Sequence, residues 1–468
     1  LHAAPAGAPR DARAVWLDAR TLRWPGASPD RTFRLHYSRA GDVRVDDGRV
    51  LGADGEIPLA VRREALPSAV EARFRHVGAG AVLVVPAASR ERLRELQRQQ
   101  LVVVEYHGAR AVRATALQPA GAFDDLYAAA ADGGELGAVV AATPGGVATR
   151  FALWAPSALS VSLCLYGDDE AKAHAVEPLR FDASSGVWGT QLTGDLSGTR
   201  YRYLVDVHVR GTGVVRNRVT DPWSLGLGAD SRRSAVVRLD SPATKPPGWD
   251  EAPRPAPLAS QTDMAIYELH VRDFSREDPS VPAPLGGKYL AFATESTGKR
   301  SLRALAAAGI TDVHLLPAYD FSTVPERGCV EPAIAGGPAD ETQQAAVVAV
   351  AARDCFNWGY DPFHFTVPDG SYATEPGDAA RRIQEFRAMV QALHAAGLRV
   401  GMDVVYNHTV HAGQHPDSVL DRIVPDYYHR LDAAGNVERS TCCENTATEH
   451  AMMARLMIDS AVTWARDY

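Results

Sequence analysis

The pattern of predicted elements changes near residue 261, and this change constrains the fold more than any other feature of the chain. After it, apolar segments predict strands at 265–271, 311–316 and 399–406, separated by helices at 301–308 and 377–396. Strands that alternate with helices imply parallel strands joined by crossover helices. We therefore expect an α/β domain in the second half of the chain.

Residues before this point alternate between apolar and polar, as half-buried strands do. Segments at 14–17, 32–37 and 81–85 predict a small β-rich domain, and a charged helical stretch near 89–99 interrupts it. Similar segments recur between positions 147 and 209, separated by Gly, Asp and Ser, and they predict a β-sandwich. Trp154 lies on the first of these later strands, so we expect its ring in the core rather than on a ligand.

The two halves are separated by a proline-rich segment. Six prolines lie between residues 241 and 261. Because proline has no backbone N–H, it cannot donate the hydrogen bonds of a helix or a sheet, so the segment is interpreted as a stiff linker. A chain of 468 residues is too long for one core. The predicted bounds are a β-rich domain at 1–120, a sandwich at 121–240, the linker at 241–261 and the α/β domain at 262–468.

Charge and composition limit the partners. The net charge of −8 and the isoelectric point near 6.0 give no reason to expect nucleic acid, since its binders concentrate Lys and Arg; a neutral ligand fits better. No apolar run approaches the ~20 residues that span a bilayer, so we expect no membrane segment. The first residues lack a Met and a signal-type hydrophobic core, and the start is interpreted as processed or cut.

Five cysteines, at 164, 329, 355, 442 and 443, are too few for a disulfide framework in a chain of this length. Cys329 and Cys355 flank one loop, which leaves two alternatives: a disulfide in an oxidising compartment, or two reduced thiols. Neither this pair nor the adjacent Cys442 and Cys443 has the spacing of metal ligands.

Two motifs carry the chemistry. Residues 356–362 read Phe-Asn-Trp-Gly-Tyr-Asp-Pro and crowd aromatic and carboxylate groups onto one loop. Residues 403–408 read Asp-Val-Val-Tyr-Asn-His, a hydrophobic strand that ends in an amide and an imidazole. Together these aromatic, carboxylate, amide and imidazole groups look like one sugar-binding rim.

Both motifs resemble those of type I pullulanases and limit dextrinases, the α-1,6-glucan debranching enzymes of the α-amylase superfamily, glycoside hydrolase family thirteen. Residues 357–362 match their hallmark, with Phe356 where Tyr is usual, and residues 403–408 match the first conserved region of the superfamily. The resemblance extends through 367–374 and 423–428 to 441–443. It implies a (β/α)₈ TIM barrel, of which about three strands are present, preceded by an immunoglobulin-like carbohydrate-binding module.

The resemblance also implies roles for single residues. Tyr360 matches the tyrosine that stacks on the glucose that becomes positively charged, and Asp361 matches the carboxylate bonded to that sugar. His408 matches the imidazole that stabilises the transition state through a glucose hydroxyl. Asn357 and Trp358 belong to the same rim, although a buried packing role for Trp358 is equally open.

Other residues near the site receive structural roles. Asp403 lies within a predicted apolar strand and is interpreted as an architectural residue. Asn407 could contribute to a calcium site, as in many α-amylases, but no acidic cluster demands a metal and no other cofactor is expected. Cys442 and Cys443 match a vicinal pair of the family, in a loop with Thr441 that shapes the site. The long insertion at 321–354 either lines the substrate cleft or is disordered.

Retaining hydrolysis needs a carboxylate nucleophile and a carboxylic acid ~5–5.5 Å apart. In the resembling family these follow on strands four and five, and neither has a matching position here. A last helix at 449–465, with Met453, Leu456, Ile458 and Val462 as its buried stripe, should lead into a fourth strand that is not present. We therefore expect this polypeptide alone to be inactive, and its parent to cleave α-1,6 linkages in pullulan, limit dextrins, glycogen or amylopectin.

Two other functions remain open. One is a non-catalytic α-glucan-binding fragment or inactive homologue, and the other is an α-1,4-acting or branching member of the superfamily, against which residues 357–362 argue. We expect an α-glucan as the partner and a monomer as the oligomeric state. A secreted or periplasmic location is favoured over a cytoplasmic one.

Overall fold

The computed structural model describes residues 1–167, 172–337, 339–440 and 442–468. The first part of the chain is a β-rich domain with short helices, as predicted. Its strands are β1 (His2–Ala3), β2 (Ala14–Trp16), β3 (Thr21–Pro25), β4 (Thr32–Ser38), β5 (Arg44–Asp46), β6 (Arg49–Leu51), β7 (Gly55–Arg62), β8 (Gly80–Val84), β9 (Gln100–His107), β10 (Arg110–Thr115) and β11 (Leu117–Gln118). Its helices are α1 (Ser68–Arg73), α2 (Leu93–Leu96), α3 (Ala120–Leu126) and α4 (Ala129–Asp132).

Eight of these strands form one sheet in the order β10-β9-β4-β7-β8-β3-β2-β11. Neighbours are antiparallel except β11 and β2, which are parallel. A single sheet of this kind packs its apolar face around Trp16, Leu22 and Leu35, which are buried.

A two-sheet sandwich follows. Its strands are β12 (Gly137–Thr143), β13 (Gly146–Trp154), β14 (Ala158–Tyr166), β15 (Ala175–Pro178), β16 (Arg180–Asp182), β17 (Val187–Thr193), β18 (Arg200–Val209), β19 (Gly213–Val219) and β20 (Ser234–Ala235). One sheet runs β12-β13-β17-β16, and the other runs β1-β19-β18-β14-β15 with β20 beside β18. The first strand of the chain thus joins the sandwich, although the domain bounds themselves stay a prediction.

Strand β18 shows why this region folds as a sandwich. Alternate residues from Tyr201 to Val209 are buried and their neighbours are not, because successive side chains of a strand point to opposite faces. Trp154 is 1% exposed and lies in the core, as expected. Its indole Nε1 donates to the Ser185 carbonyl at 3.1 Å, which satisfies its one polar group.

The third part begins with parallel strands. Its strands are β21 (Ile266–Leu269), β22 (Asp312–Leu315), β23 (Tyr319–Phe321), β24 (Pro362–Pro368), β25 (Arg399–Met402), β26 (His408–Thr409) and β27 (Glu444–Asn445). Its helices are α5 (Leu290–Ala293), α6 (Thr297–Ala307), α7 (Thr342–Val348), α8 (Ala379–Ala395) and α9 (Ala451–Asp467). The central strand β22 pairs in parallel with β21 and with β25. This arrangement confirms the predicted first strands of an α/β barrel.

Helix α8 crosses between β22 and β25 as the sequence predicts. The Asp378 side chain accepts a hydrogen bond from the Arg381 amide at 3.0 Å and caps the start. Ile383, Phe386, Val390 and Leu393 are buried at helical spacing. Gly397, at φ 89°, ends the helix in the left-handed conformation that glycine tolerates best.

Two expectations about this part are wrong. The strand predicted at 399–406 ends at Met402, because the backbone then leaves the ladder: the Val405 amide donates to the Tyr319 hydroxyl at 3.2 Å. In α9, Met453 and Leu456 are buried, but Ile458 and Val462 are 61% and 49% exposed. Residues 456 and 458 are two positions apart, about 200° around a helix, so they cannot share a face.

The modules share one core. The Trp154 ring lies 4.8 Å from the Tyr427 ring, measured between centroids, and Phe123 lies 5.9 Å from the same tyrosine. Three parts of the chain therefore meet at Tyr427, since Phe123 lies on α3 and Trp154 on the sandwich. In the described ranges, no helix combines the length and the apolarity needed to cross a membrane.

A buried guanidinium joins the sandwich side to the barrel strands. Arg382 of α8 is fully buried and donates to Glu326 Oε2 at 2.6 Å and to the Gly228 carbonyl at 3.2 Å. The Asp230 amide donates to the same Glu326 oxygen at 2.6 Å, and the Ser231 hydroxyl donates to Asp320. A buried cation needs such partners to offset its lost hydration.

The turn that carries these contacts is strained. Asp230 and Ser231 have φ of 53° and 51°, in the left-handed region that costs of order 1–3 kcal/mol for non-glycine residues. Their bonds to Glu326 and Asp320 hold the turn in this conformation. Burial raises the pKa of Glu326 to about 8, and burial together with the Asp320 charge raises the pKa of Asp369 to about 7.

These pKa values predict a pH dependence of stability. The pKa of Glu326 in the folded state lies above its unfolded value of ~4.3, so the folded state binds more protons than the unfolded state between these two pH values. The contribution of Glu326 to the free energy of unfolding is therefore present at low pH and is lost as pH rises toward 8. We expect the melting temperature of the wild type minus that of Glu326→Gln to fall by roughly 2 °C between pH 5 and pH 8. Thermal unfolding at both pH values measures it.

Glu251→Gln is the matched control, because Glu251 is an exposed glutamate of the linker. Its melting temperature should follow that of the wild type at both pH values. A wild-type-minus-Glu326→Gln difference that grows with pH would contradict the account.

Candidate active site

The loop at residues 356–361 is held by Asn357. Its Nδ2 donates to Asp361 Oδ2 and to Thr323 Oγ1, both at 2.8 Å, and its Oδ1 accepts from the Gly359 amide at 2.7 Å. The Thr323 hydroxyl in turn donates to Asp361 Oδ2 at 2.8 Å. This triangle of polar side chains fixes the direction of the Asp361 carboxylate.

Gly359 is required in this loop for two reasons. Its φ of 90° lies in the left-handed region, and a Cβ there would collide with the Pro317 carbonyl oxygen. The chain can therefore turn sharply between Asn357 and Tyr360.

The tyrosine, the imidazole and one carboxylate converge at the strand ends. The Tyr360 hydroxyl donates to Asp403 Oδ2 at 2.6 Å, and His408 Nε2 lies 2.9 Å from the Tyr360 carbonyl oxygen. Asn407 Nδ2 lies 3.1 Å from His408 Nδ1. The Asn407 amide nitrogen can only donate, so Nδ1 of His408 is the acceptor. The ring proton is therefore on Nε2, which donates to the Tyr360 carbonyl oxygen.

Electrostatics keep the Tyr360 phenol neutral. Partial burial, followed by the hydrogen bond to the Asp403 carboxylate, raises the pKa of Tyr360 to about 12. The side chain is 36% exposed, so its ring is accessible to a ligand.

Asp403 is an exposed residue rather than a buried strand residue, and the sequence expectation is wrong on this point. Strand β25 ends one residue earlier, which leaves the carboxylate free to reach Tyr360. Trp358 is 60% exposed, so its alternative packing role is excluded; its ring meets Phe356 edge-on at 6.2 Å. Asn407 is exposed beside His408.

Two residues that sequence reasoning missed support this rim, Thr323 and His270. His270 Nε2 lies 2.8 Å from the Asn357 carbonyl oxygen, and its Nδ1 accepts from the Asp273 amide at 3.3 Å. Burial lowers the pKa of His270, which favours the neutral ring. The strand predicted at 265–271 contained His270, whereas β21 ends at Leu269 and leaves His270 directly after the strand.

Both cysteine pairs are bonded. Cys329–Cys355 closes the base of the long insertion, and the described part of that insertion contains α7. Cys442–Cys443 forms a vicinal disulfide whose sulfurs come within 4.8 Å of a His408 ring nitrogen, so the pair borders the site. The predicted role of Thr441 lies outside the described residues. A calcium ion near Asn407 stays a prediction.

These features define a class of protein. Parallel strands with crossover helices carry an aromatic ring, carboxylates and an imidazole at their carboxyl ends, and two β-rich modules precede them. This is the organisation of an α/β-barrel protein whose active site lies at the carboxyl ends of the strands.

Comparison with known proteins shows what the chain resembles. Residues 11–125 match the Pullulanase N2 domain, and residues 135–224 match carbohydrate-binding module 48, the isoamylase N-terminal domain. The pullulanase of Klebsiella pneumoniae is 38% identical over 98% of this chain and 45% of its own length, and pullulanase 1 of Arabidopsis thaliana is 37% identical over 97% and 47%. The chain is similar to these pullulanases along nearly its whole length.

Solved structures agree. The apo pullulanase of K. pneumoniae superposes with a TM-score of 0.91 at 36% identity, covering 99% of this chain and 54% of the other. Its complex with maltotriose gives a TM-score of 0.90 at 36% identity, over 99% and 47%. The chain spans about half the length of the curated relatives it matches.

The Asn357 triangle predicts a local effect on dynamics. Asn357→Ala removes two donors and the acceptor of the Gly359 amide, each worth about 1 kcal/mol, so local opening should become at least about fivefold more frequent. Hydrogen–deuterium exchange of the peptide spanning 357–361 measures it. Trp358→Ala, which removes an exposed ring from the same loop, should leave the rate near that of the wild type; equal rates in Asn357→Ala and wild type would contradict the role of the triangle.

Proposed function

We propose that this chain supplies the glucan-binding rim of a pullulanase-type glycoside hydrolase that cleaves α-1,6 linkages with retention. The observation that carries the proposal is the contact between His408 and Tyr360, in a loop that also fixes Asp361. Relatives named pullulanase, one of them solved with maltotriose, support it.

Each side chain has a distinct task in this proposal. The neutral ring of Tyr360, oriented by Asp403, presents an electron-rich face to a pyranose whose anomeric carbon becomes positive. Thr323 and Asn357 both bind Oδ2 of Asp361, so we assign a sugar hydroxyl to its Oδ1.

His408 acts as a hydrogen-bond donor at the same sugar. Its Nε2–H is engaged by the Tyr360 carbonyl, so a glucose hydroxyl must share this proton or displace the carbonyl. A donor that strengthens its bond as charge develops lowers the barrier more than it tightens ground-state binding. We therefore assign His408 to transition-state stabilisation. The nucleophile and the general acid are assigned to no residue of this chain.

A second candidate function is glucan binding by the sandwich without hydrolysis. The match of residues 135–224 to a carbohydrate-binding module favours it. Trp154 is excluded as its ligand platform, because the ring is buried. We propose an α-glucan as the shared partner of both functions, and a monomer in a secreted or periplasmic location.

Variants of the rim separate the two functions. Tyr360→Ala removes a ring whose burial contributes about 1.5–3 kcal/mol, so we expect maltotriose affinity to fall by roughly tenfold or more. His408→Ala should cost about 1 kcal/mol, or roughly fivefold. Isothermal titration of the polypeptide with maltotriose measures both.

His107→Ala is the matched control, because His107 is an exposed histidine at the end of β9 in the first domain. It should bind maltotriose with wild-type affinity. Undiminished affinity in Tyr360→Ala would place the glucan on the sandwich instead and refute the assignment of the rim.

The products of pullulan digestion test which glycosidic bond is cleaved. We expect pullulan digested by the complete protein to yield maltotriose, because the motif at 357–362 is that of the pullulanase branch. Panose as the product would show α-1,4 cleavage and overturn the proposal. The 468-residue polypeptide alone is expected to release neither product, since a retaining reaction requires two carboxylates that the resemblance places elsewhere.

A further inference from the structure

The loop that follows β26 brings two imidazoles and a carboxylate together. The rings of His411 and His415 stack with centroids 3.6 Å apart and planes 17° apart. His415 Nδ1 lies 3.9 Å from Asp417 Oδ2. One ligand atom from each of these three residues lies within 4.8 Å of the other two. None of the three belongs to the glucan rim described above.

This set of donors suits a particular class of cation. Two imidazole nitrogens and one carboxylate oxygen are the ligands of Zn²⁺ and of neighbouring divalent transition metals, whereas Ca²⁺ and Mg²⁺ prefer oxygen alone. Bond lengths of ~2.0–2.2 Å at tetrahedral angles place ligand atoms roughly 3.3 Å apart. His411 is half-buried and His415 and Asp417 are exposed, so small side-chain rotations can close the remaining distance.

The backbone of the loop is already fixed. The Gly413 amide donates to Asp421 Oδ2 at 2.7 Å, and Asn217 of the sandwich donates to Gln414 Oε1 at 2.9 Å. The Ser418 amide donates to the His415 carbonyl at 2.9 Å. Binding would therefore order few additional groups, which favours affinity.

One existing bond competes with the metal. The Asp417 amide donates to His415 Nδ1 at 3.2 Å, and coordination through this nitrogen requires the bond to break. It is a single neutral hydrogen bond, which is weaker than a Zn²⁺–imidazole bond. The competing bond therefore does not prevent binding.

We propose that His411, His415 and Asp417 form a binding site for a divalent transition metal, with Zn²⁺ as the expected occupant. The site shares its loop with His408, since β26 ends two residues before His411. It is independent of hydrolysis, and it can be tested whether or not the proposed debranching activity holds.

Isothermal titration of the untagged, chelator-treated polypeptide with ZnCl₂ tests the site. No reductant is added, so that the disulfide beside His408 stays closed. We expect one Zn²⁺ per chain, and a loss of at least about tenfold in affinity in His411→Ala and in His415→Ala. Asp417→Asn should weaken binding less, because the amide oxygen remains a ligand. Any binding of CaCl₂ should be the same in His411→Ala and His415→Ala as in the wild type, because Ca²⁺ prefers oxygen ligands.

Two controls exclude other sites. His107→Ala should bind Zn²⁺ as the wild type does, and so should the double variant Cys442→Ser, Cys443→Ser. The loop residues are at least partly exposed, so unchanged melting temperatures without metal would show that the variants fold. Two results overturn the proposal: absence of saturable Zn²⁺ binding by the wild type, or Zn²⁺ affinity in His411→Ala and His415→Ala equal to that of the wild type.

Discussion

The burial of Arg382 is the constraint on which the rest of the structure depends. A guanidinium removed from water must find carboxylates and carbonyls, and here it finds Glu326 from the barrel side and Gly228 beside the sandwich. The same segment that carries Glu326 carries Thr323, which donates to Asp361. The position of the proposed glucan-binding rim thus follows from a network that begins between two modules.

Aromatic packing makes the same connection on the other side of the molecule. Tyr427 contacts the rings of Trp154 and Phe123, so the first domain, the sandwich and the last segment bury one another's apolar surface. Even the proline-rich linker is packed: the Arg387 guanidinium donates to the Thr244 carbonyl at 2.9 Å and lies over the Trp249 ring. The predicted linker is therefore a structured connection against α8.

Local periodicity explains what the sequence could predict. The alternation along β18 and the helical spacing of Ile383 to Leu393 each predict which face of the element is buried, and these faces are buried in the structure. The rim motifs could be found because Tyr360 and His408 both sit at turn or strand ends, where side chains of this fold collect.

Features set by tertiary partners could not be predicted in the same way. Ile458 looked like a core position, but the buried face of α9 is decided by what packs against it. Thr323 carries no motif, and its role is visible only once the loop at 356–361 lies beside it. The stacked His411 and His415 are four residues apart in a loop, a spacing that has no meaning without the backbone that folds it.

The central claim is that Tyr360, Asp361 and His408 hold one pyranose ring. A crystal structure of the polypeptide soaked with maltotriose tests it directly. The account predicts a ring stacked on the Tyr360 face, with hydroxyl oxygens within about 3.2 Å of Asp361 Oδ1 and His408 Nε2. Maltotriose bound only to the sandwich would contradict it.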